Sequence, residues 1–170
     1  NIDYKDLKTI YDLTKRNISW NYGPSLSGAP IYWDNPYFTR YQNYEDDGRS
    51  RFIGNLALDY KITDWLDAYG RVSADSYSEY QEERRAVGSV PTTFGLGTPT
   101  PTIGSGYLRR DITFSEYNYD FMLNFNKNLG EYFNLKGVLG ATERITNYST
   151  YTNSTNGGLA VAGVYSIQNS

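Results

Sequence analysis

Two pairs of adjacent carboxylates are the side chains of this chain that could perform acid–base chemistry. They are Asp46-Asp47 and Glu82-Glu83. Glycoside hydrolysis needs two carboxyl groups that face each other roughly 5–9.5 Å apart across the substrate. Because adjacent residues of a strand point to opposite faces, neither pair can converge on one bond. The pairs are typical of solvated surface, and we predict no catalytic residue and no enzyme activity.

The composition gives equally little support to metal or cofactor chemistry. The 170 residues include no histidine, the commonest metal ligand and general base, and no cysteine to supply a thiolate or a disulfide. The run Asp46-Asp47-Gly48 lacks the further acidic residues of a calcium-binding loop. The net charge is -3, and the lysines and arginines are scattered, which argues against a nucleic-acid interface. We therefore expect neither a metal nor a cofactor.

Aromatic side chains are the better candidates for contact with a ligand or partner. The chain holds 18 tyrosines, seven phenylalanines and three tryptophans, and residues 17–48 combine many of them with Gly, Pro and Asn. Connections of this length are usually functional or disordered, and the aromatic density argues against disorder. We predict a long structured loop whose aromatic residues either pack the loop on itself or touch a ligand or partner. The candidates are Trp20, Tyr32, Trp33, Tyr37 and Tyr44.

The elements that would carry this loop follow from hydrophobic patterning. Apolar residues at helical spacing predict a short surface helix over residues 6–16. The rest of the chain divides into two segments of alternating polarity and three connections rich in Gly, Pro, Asn, Ser or Thr. In chain order we expect an aromatic loop with the helix (1–48), a hairpin (49–84), a loop (85–110), a second hairpin (111–147) and a final loop (148–170).

The first hairpin alternates apolar and polar residues along two strands that are joined by a turn at residues 63–65. Side chains of successive strand residues point to opposite faces of a sheet. This turn places Leu58 opposite Gly70 on the apolar face. The same register sets Lys61 beside Asp67 on the other face, where opposite charges attract.

The second hairpin repeats the pattern. Asn128-Leu129-Gly130 is predicted as its turn, because glycine suits the left-handed residue of a three-residue loop. This turn would place Phe121 opposite Gly137, again a large residue facing a small one. Two hairpins with one pattern predict a single antiparallel sheet.

The two faces of this sheet suit lipid on one side and water on the other. Strands of outer-membrane barrels alternate in this way and need only about 9–11 residues to cross. The chain has no apolar run of about 18 residues, so we expect no transmembrane helix. The predicted lipid-facing residues are Leu56, Leu58, Tyr60, Val72, Phe121, Leu123, Phe125, Leu135 and Leu139. The predicted water-facing residues, which would line a lumen, are Lys61, Asp67, Arg71, Asp75, Asp120, Asn124 and Lys136.

The predicted fold is all-β, an antiparallel segment of a transmembrane β-barrel with short periplasmic turns and long extracellular loops. Four strands cannot close a barrel, whose minimum is about eight, so we expect the chain to be an interior slice of a larger one. One alternative is an oligomeric outer-membrane pore with four strands from each protomer. Another is a soluble β-sandwich that binds carbohydrate through exposed aromatics, which would need a second sheet over the apolar face.

Several runs of residues resemble one known family of outer-membrane proteins. They are Asp-Asn-Pro-Tyr-Phe-Thr at 34–39, Arg-Ser-Arg-Phe-Ile-Gly-Asn at 49–55, Leu-Asp-Tyr-Lys-Ile-Thr-Asp-Trp-Leu at 58–66 and Glu-Glu-Arg at 82–84. Through them the chain, from about residue 34 to 170, is similar to the SusC/RagA family of TonB-dependent outer-membrane transporters.

The resemblance implies a barrel of about 22 strands around an N-terminal plug. It implies that TonB energises the barrel through the plug and that a SusD-like surface lipoprotein caps it. The cargo would be oligosaccharides or peptides, imported without covalent chemistry across the outer membrane of Bacteroidota. The plug would lie outside this chain, so the resemblance assigns none of its residues here.

Overall fold

The computed structural model describes residues 2–23, 28–91, 93–94, 98–99 and 104–170. Four long strands form one sheet in the order β1-β2-β5-β6, and the short strands β3 and β4 pair with each other. The chain is mostly antiparallel sheet with little helix, which confirms the predicted all-β class. The elements are α1 (Tyr4–Thr14), α2 (Pro36–Gln42), β1 (Tyr44–Thr63), β2 (Leu66–Arg85), β3 (Thr93–Phe94), β4 (Thr98–Pro99), β5 (Gly106–Leu129) and β6 (Phe133–Ser154).

The chain divides into two compact units, and the long strands contribute residues to both. The sheet unit comprises Arg49–Glu79 and Ile112–Thr150. The loop unit comprises Asn1–Gly48, Tyr80–Asp111 and Tyr151–Ser170. The sheet unit therefore holds the predicted apolar alternation, and the loop unit holds the predicted aromatic loop.

Both hairpins are longer than predicted. The first occupies residues 44–85 instead of 49–84, and the second occupies residues 106–154 instead of 111–147. The added ends carry aromatic and charged residues in place of a simple apolar alternation. Such residues also form stabilising cross-strand pairs, so the strands continue beyond the point where the alternation of polarity stops.

Side-chain contacts across the first hairpin agree with the predicted register. Arg49 on β1 donates its Nε to Glu79 Oε2 on β2 at 2.6 Å, and a Cβ added to Gly48 would be 2.6 Å from the Tyr80 ring. Both contacts join residues that face each other when Leu58 lies opposite Gly70.

Lys61 forms its ion pair with the turn and not with the residue that faces it. Its ammonium lies 2.7 Å from the Asp64 carboxylate, whereas the predicted register places Asp67 on β2 opposite it. β1 ends at Thr63 and β2 begins at Leu66. The turn therefore brings a closer carboxylate to the lysine than the facing strand does.

The register of the second hairpin differs from the predicted one. β5 continues through Leu129, and the turn consists of residues 130–132 instead of 128–130. Phe125, and not Phe121, lies over Gly137, because a Cβ added to that glycine would be 2.5 Å from the Phe125 ring.

A side-chain bond explains why the strand passes the expected turn. Asn128 accepts a hydrogen bond from Asn134 Nδ2 at 2.6 Å across the hairpin, and Gly130 begins the turn with a φ of 76°. Phe121 consequently faces Ala141, four residues further along β6 than Gly137. Because this displacement is an even number of residues, every side chain keeps its predicted face.

Both helices belong to the loop unit, and each has a side-chain cap. α1 begins two residues before its predicted start, because Asp3 accepts a hydrogen bond from the Lys5 backbone nitrogen at 2.8 Å. α2 lies within the predicted loop, with Asn35 as its cap and Pro36 in its first turn. Neither described helix is long and apolar enough to cross a membrane.

The hydrophobic core of the loop unit is small. Tyr11, Phe38 and Ala86 are buried together, and Tyr37 packs against them. Tyr11 also stacks on Tyr41, with ring centroids 5.6 Å apart. A core of this size leaves most of the loop to be ordered by polar contacts.

Asparagine side chains supply many of those contacts. Asn35 is fully buried, and its Nδ2 donates to the carbonyls of Leu7 at 3.1 Å and Ile18 at 2.8 Å. Its Oδ1 accepts from the Tyr37 backbone nitrogen at 2.9 Å, and its own backbone nitrogen donates to Asn17 Oδ1 at 2.8 Å. One side chain therefore joins α1, α2 and the segment between them.

We expect Asn35→Ala to loosen the loop unit by roughly 2–3 kcal/mol, because it removes a helix cap and leaves buried carbonyls without a donor. The measurement is the rate of tryptic cleavage after Arg16 in the intact protein, which should rise. Asn153→Ala, at an exposed position of β6, is the matched control and should leave the rate unchanged. Equal rates in both variants would contradict this role for Asn35.

Candidate functional site

One face of the sheet unit is apolar and exposed to solvent. The residues predicted to face lipid lie together on this face. They alternate along each strand with the residues that carry the cross-strand ion pairs, which point to the other face. Leu56, Leu58 and Leu139 are 77%, 68% and 67% exposed. Monomeric soluble proteins rarely expose a contiguous apolar patch of this kind. We call it the apolar face: Leu56, Leu58, Tyr60, Val72, Phe121, Leu123, Phe125, Leu135 and Leu139.

The opposite face of the sheet unit is polar and internally paired. Arg51 donates hydrogen bonds to both carboxylate oxygens of Asp75, at 2.8 and 2.5 Å. Arg71 reaches across to Asp120 at 2.6 Å, and Thr142 donates to the same carboxylate at 3.0 Å. Three of the predicted water-facing residues thus form a ladder of ion pairs that spans the strands.

The remaining predicted water-facing residues are exposed on this polar face. Asp67, Asn124 and Lys136 are open to solvent, and Lys61 is held by the turn. Exposed ion pairs contribute at most about 1 kcal/mol each. The polar face is therefore suited to contact with water, and its pairs order the side chains more than they stabilise the fold.

An asparagine fixes the backbone of the aromatic segment in the loop unit. Asn21 Oδ1 accepts hydrogen bonds from the backbone nitrogens of Ile31, Tyr32 and Trp33 at 3.1, 2.8 and 3.0 Å. Its Nδ2 donates to the Trp33 carbonyl at 2.8 Å. The rings of Tyr32 and Trp33 remain 72% and 67% exposed. The segment thus presents two aromatic rings to solvent from a fixed backbone.

The other predicted aromatic contacts have different surroundings. Tyr37 packs against the small core of the loop unit. Tyr44 lies under the Arg84 guanidinium, 4.8 Å from its ring centroid. Trp20 is 39% exposed and precedes Asn21, whose side chain binds the backbone of residues 31–33. Trp20, Tyr32 and Trp33 therefore remain the candidates for contact with a ligand or partner.

The two carboxylate pairs, distant in sequence, line one cavity of about 390 Å³ in the loop unit. Asp46-Asp47 lies on β1, and Glu82-Glu83 lies on the neighbouring β2, so strand pairing brings them together. Glu45, Gln81 and Leu108 complete the lining. The sequence alone does not show this convergence, because it depends on the pairing of β1 with β2.

One carboxylate of this cavity, that of Glu82, lies among three hydrogen-bond donors. It accepts hydrogen bonds from Arg84 at 2.8 Å, Tyr107 at 2.9 Å and Arg109 at 2.7 Å. Burial opposes its ionisation, but these hydrogen bonds outweigh the burial and hold the pKa of Glu82 below its ordinary value. A general acid needs a raised pKa, so Glu82 is suited to organising its neighbours and not to proton donation.

The charges around Glu82 are balanced by further contacts. Arg109 also pairs with Asp111 at 2.9 Å, and its guanidinium lies 5.4 Å from the Tyr80 ring centroid. Tyr80 donates to Asp46 at 3.2 Å, and the negative charge of that carboxylate raises the pKa of the Tyr80 hydroxyl. Within the described part of the chain, no group of three or more acidic side chains is placed to hold a metal ion. The arrangement is that of a structural ion-pair network.

Sequence reasoning missed several residues of these networks. Glu82 and Arg84, like Arg109 and Asp111, are two residues apart on one strand and so share a face. This spacing of opposite charges is a signal that could have predicted the cluster. No comparable signal marks Asn21, because its role depends on a backbone segment ten residues away.

Comparison with known proteins gives no assignment for the chain. No family model matches it, and no curated protein sequence matches it significantly.

We expect the stability that Glu82 confers to depend on pH. Its folded-state pKa lies below its unfolded value of about 4.3, so its contribution is fully present above that value and is lost as the pH falls through the folded pKa. Glu82→Gln should therefore lower the thermal unfolding midpoint at pH 7, and the difference from the wild type should shrink in acid.

The matched control is Glu131→Gln at an exposed position of the second turn, which should have little effect at either pH. A difference between Glu82→Gln and the wild type that is as large at pH 3 as at pH 7 would argue against a charge-dependent role.

Proposed function

We propose that this chain is a slice of a SusC/RagA-like, TonB-dependent outer-membrane transporter that imports oligosaccharides or peptides. The observation that carries the proposal is the sheet unit, whose apolar face is exposed while its polar face is paired. Such a sheet needs an apolar medium on one side and water on the other. The family itself is inferred from the runs at 34–39, 49–55 and 58–66.

The extent of the apolar face fits the thickness of an outer membrane. Its alternation on β1 runs from Phe52 to Ile62. At about 3.3 Å per residue this stretch spans about 33 Å, and a tilt of about 40° reduces the span to about 25 Å. The apolar band of an outer-membrane barrel has a height of about 25 Å.

The boundary of the apolar face also runs obliquely to the strands. On β1 the apolar alternation reaches Phe52, whereas on β6 it stops at Ala141 and is followed by Glu143. The side-chain contacts of the polar face indicate the register of the four strands. In this register Glu143 on β6 is level with Leu56 on β1. Glu143 is therefore nearer the turns than Phe52 is. Barrel strands are tilted by about 35–45°, so a level membrane surface would cross them at this kind of slant.

The turn end of the sheet unit carries an aromatic residue and a cation suited to a membrane interface. The Lys127 ammonium lies 4.3 Å from the Trp65 ring centroid. The Asn126 backbone nitrogen donates to the Trp65 carbonyl at 2.9 Å, which ties the two hairpins together there. Aromatic and basic residues are favoured where lipid meets water. We place the turns at 64–65 and 130–132 in the periplasm.

The loop unit would then be extracellular. Its small core and its asparagine and ion-pair networks suit a hydrated setting. The exposed rings of Trp20, Tyr32 and Trp33 are the surface that we assign to a SusD-like lipoprotein or to the imported substrate. Import would be gated by TonB through a plug outside this chain, without covalent chemistry or a cofactor.

A soluble β-sandwich is the less favoured alternative. It would need a second sheet packed on the apolar face. Among the described residues, Leu56, Leu58 and Leu139 have no such cover. An oligomeric pore with four strands per protomer shares the apolar face but does not account for the resemblance.

We expect Leu58→Arg to prevent assembly of the intact protein in the outer membrane. A cation near the middle of the lipid face destabilises a barrel by about 2–4 kcal/mol. Asn124→Arg places the same charge on the polar face and should assemble normally. Assembly is measured by membrane fractionation and by the shift in electrophoretic mobility on heating. Normal assembly of Leu58→Arg, or failure of Asn124→Arg, would contradict the assignment of the faces.

We expect Trp33→Ala to weaken the complex with the surface lipoprotein without unfolding the loop. Asn21 binds only the backbone of Trp33, so the substitution removes an exposed ring and keeps the local structure. The measurement is the amount of lipoprotein that copurifies with the transporter. The control is Tyr132→Ala, which changes an exposed ring in the turn between β5 and β6. If the same amount of lipoprotein copurified with the variant, the Trp33 ring would not be part of the surface that binds the partner.

A further inference from the structure

A row of aromatic side chains crosses the polar face of the sheet unit on three neighbouring strands. Tyr77 on β2 and Phe114 on β5 stack, with ring centroids 5.1 Å apart and an angle of 23° between their planes. Arg144 on β6 donates its Nε to Asn118 Oδ1 on β5 at 2.8 Å. This contact indicates a register in which Tyr148 of β6 lies opposite Phe114 on the same face. The aromatic row, which consists of Tyr77, Phe114 and Tyr148, spans two strand spacings, about 10 Å.

The three rings of the aromatic row differ in how they are held. Tyr77 and Phe114 are half-buried, and the Arg49 guanidinium lies 4.8 Å from the Tyr77 ring centroid. Tyr148 is 60% exposed. Within the described part of the chain, its hydroxyl has no hydrogen-bond partner and its ring has no stacked neighbour. The row therefore combines two rings that are packed on the sheet with one free ring that suits contact with a ligand.

The charged groups that flank the aromatic row are paired with one another. The flanking pairs are Arg49–Glu79, Arg51–Asp75 and Arg144–Glu116. Positive and negative charges are equal in number in these pairs, so they carry no net charge. Each pair sets guanidinium donors beside carboxylate acceptors. The surroundings of the row thus offer many hydrogen bonds but no unpaired charge to attract an ion.

A neutral sugar ring has the chemistry that matches both features. Its C–H groups carry a small positive charge and are attracted to the negative face of an aromatic ring. Its neighbouring hydroxyl groups can both donate and accept hydrogen bonds, so they suit a guanidinium and a carboxylate that lie side by side. A short peptide has charged termini, which find no unpaired partner among the three flanking pairs.

We propose that the aromatic row and its flanking ion pairs bind one sugar ring of a neutral oligosaccharide, which stacks on Tyr148. The inference rests on the proposed transport function and deepens it, because it selects oligosaccharides over peptides as the cargo. In the proposed orientation the row lies on the lumen wall. It is close to the level of Phe52, where the apolar alternation of β1 ends on the extracellular side.

Tyr148→Ala tests the stacking. Because the Tyr148 ring has no stacked neighbour among the described residues, the variant should keep the fold and assemble in the membrane. The intact protein is purified in detergent, and its affinity for neutral hexasaccharides of glucose, galactose, mannose or xylose is measured by saturation-transfer NMR. We expect the wild type to bind at least one of them through the C–H protons of the sugar. The variant should bind it on the order of tenfold more weakly.

Two further variants separate the ring of Tyr148 from its hydroxyl and from general apolar area. Tyr148→Phe keeps the aromatic face and should retain most of the affinity. Val138→Ala shortens a similarly exposed apolar side chain on the same face of β6, nearer the turn, and should leave the affinity unchanged.

Charged probes test the balance of the flanking pairs. A hexamer of galacturonate, which is anionic, should bind more weakly than the hexamer of galactose, and a hexapeptide of glycine and serine should not bind. Stronger binding of galacturonate or binding of the peptide alone would overturn the proposal. So would a wild type that binds none of the neutral hexasaccharides, or an affinity that Tyr148→Ala does not change or that Val138→Ala lowers equally.

The two proposals fail in different ways. A wild type that does not enter membranes would refute the transporter assignment itself. A wild type that assembles normally in the outer membrane but binds no neutral hexasaccharide would refute the sugar site alone.

Discussion

The structure depends on a sheet that is only one layer thick and whose two faces require different surroundings. On the polar face, Arg71 and Asp120 join β2 to β5, and Thr142 extends the contact to β6. These groups are satisfied in water. On the apolar face, side chains such as Leu56 and Leu58 have no described cover, and leaving them in water would forfeit about 25 cal/mol per Å² of the apolar area that could be buried. The membrane location that we propose would satisfy both faces at once.

The loop unit is stabilised in a different way. Its buried hydrophobic cluster is small. Hydrogen bonds and ion pairs of amide and carboxylate side chains supply much of the remaining order. Asn35 connects α1, α2 and the chain between them through its hydrogen bonds. The Glu82 carboxylate accepts hydrogen bonds from two arginines and a tyrosine. Satisfied polar networks of this kind fix one geometry without a large core. That geometry holds the exposed rings of Tyr32 and Trp33 in place, which is the property required of a recognition surface.

The sequence was sufficient for those features that depend on a local period. The alternation predicted which side chains share a face, and it did so even where the pairing was wrong, because Phe125 faces Gly137 and Phe121 faces Ala141 without either ring changing sides. The register of the second hairpin was not predictable from its turn signal. Gly130 suits the last position of a turn at 128–130 and also the first position of a turn at 130–132. The hydrogen bond from Asn134 to Asn128 favours the second turn, and it forms only when the two strands are paired. α2 was too short to show a helical period, and the convergence of Asp46 with Glu82 required knowledge of strand pairing.

The central claim, that the apolar face contacts lipid, can be tested most directly by cysteine scanning along β1. The chain has no cysteine of its own, so single substitutions at residues 55–61 can be labelled with a water-soluble maleimide in intact outer membranes. The account predicts an alternating result: cysteines at Leu56, Leu58 and Tyr60 are protected, and cysteines at Asn55, Ala57, Asp59 and Lys61 react. Uniform labelling, or protection of the polar positions instead, would contradict it.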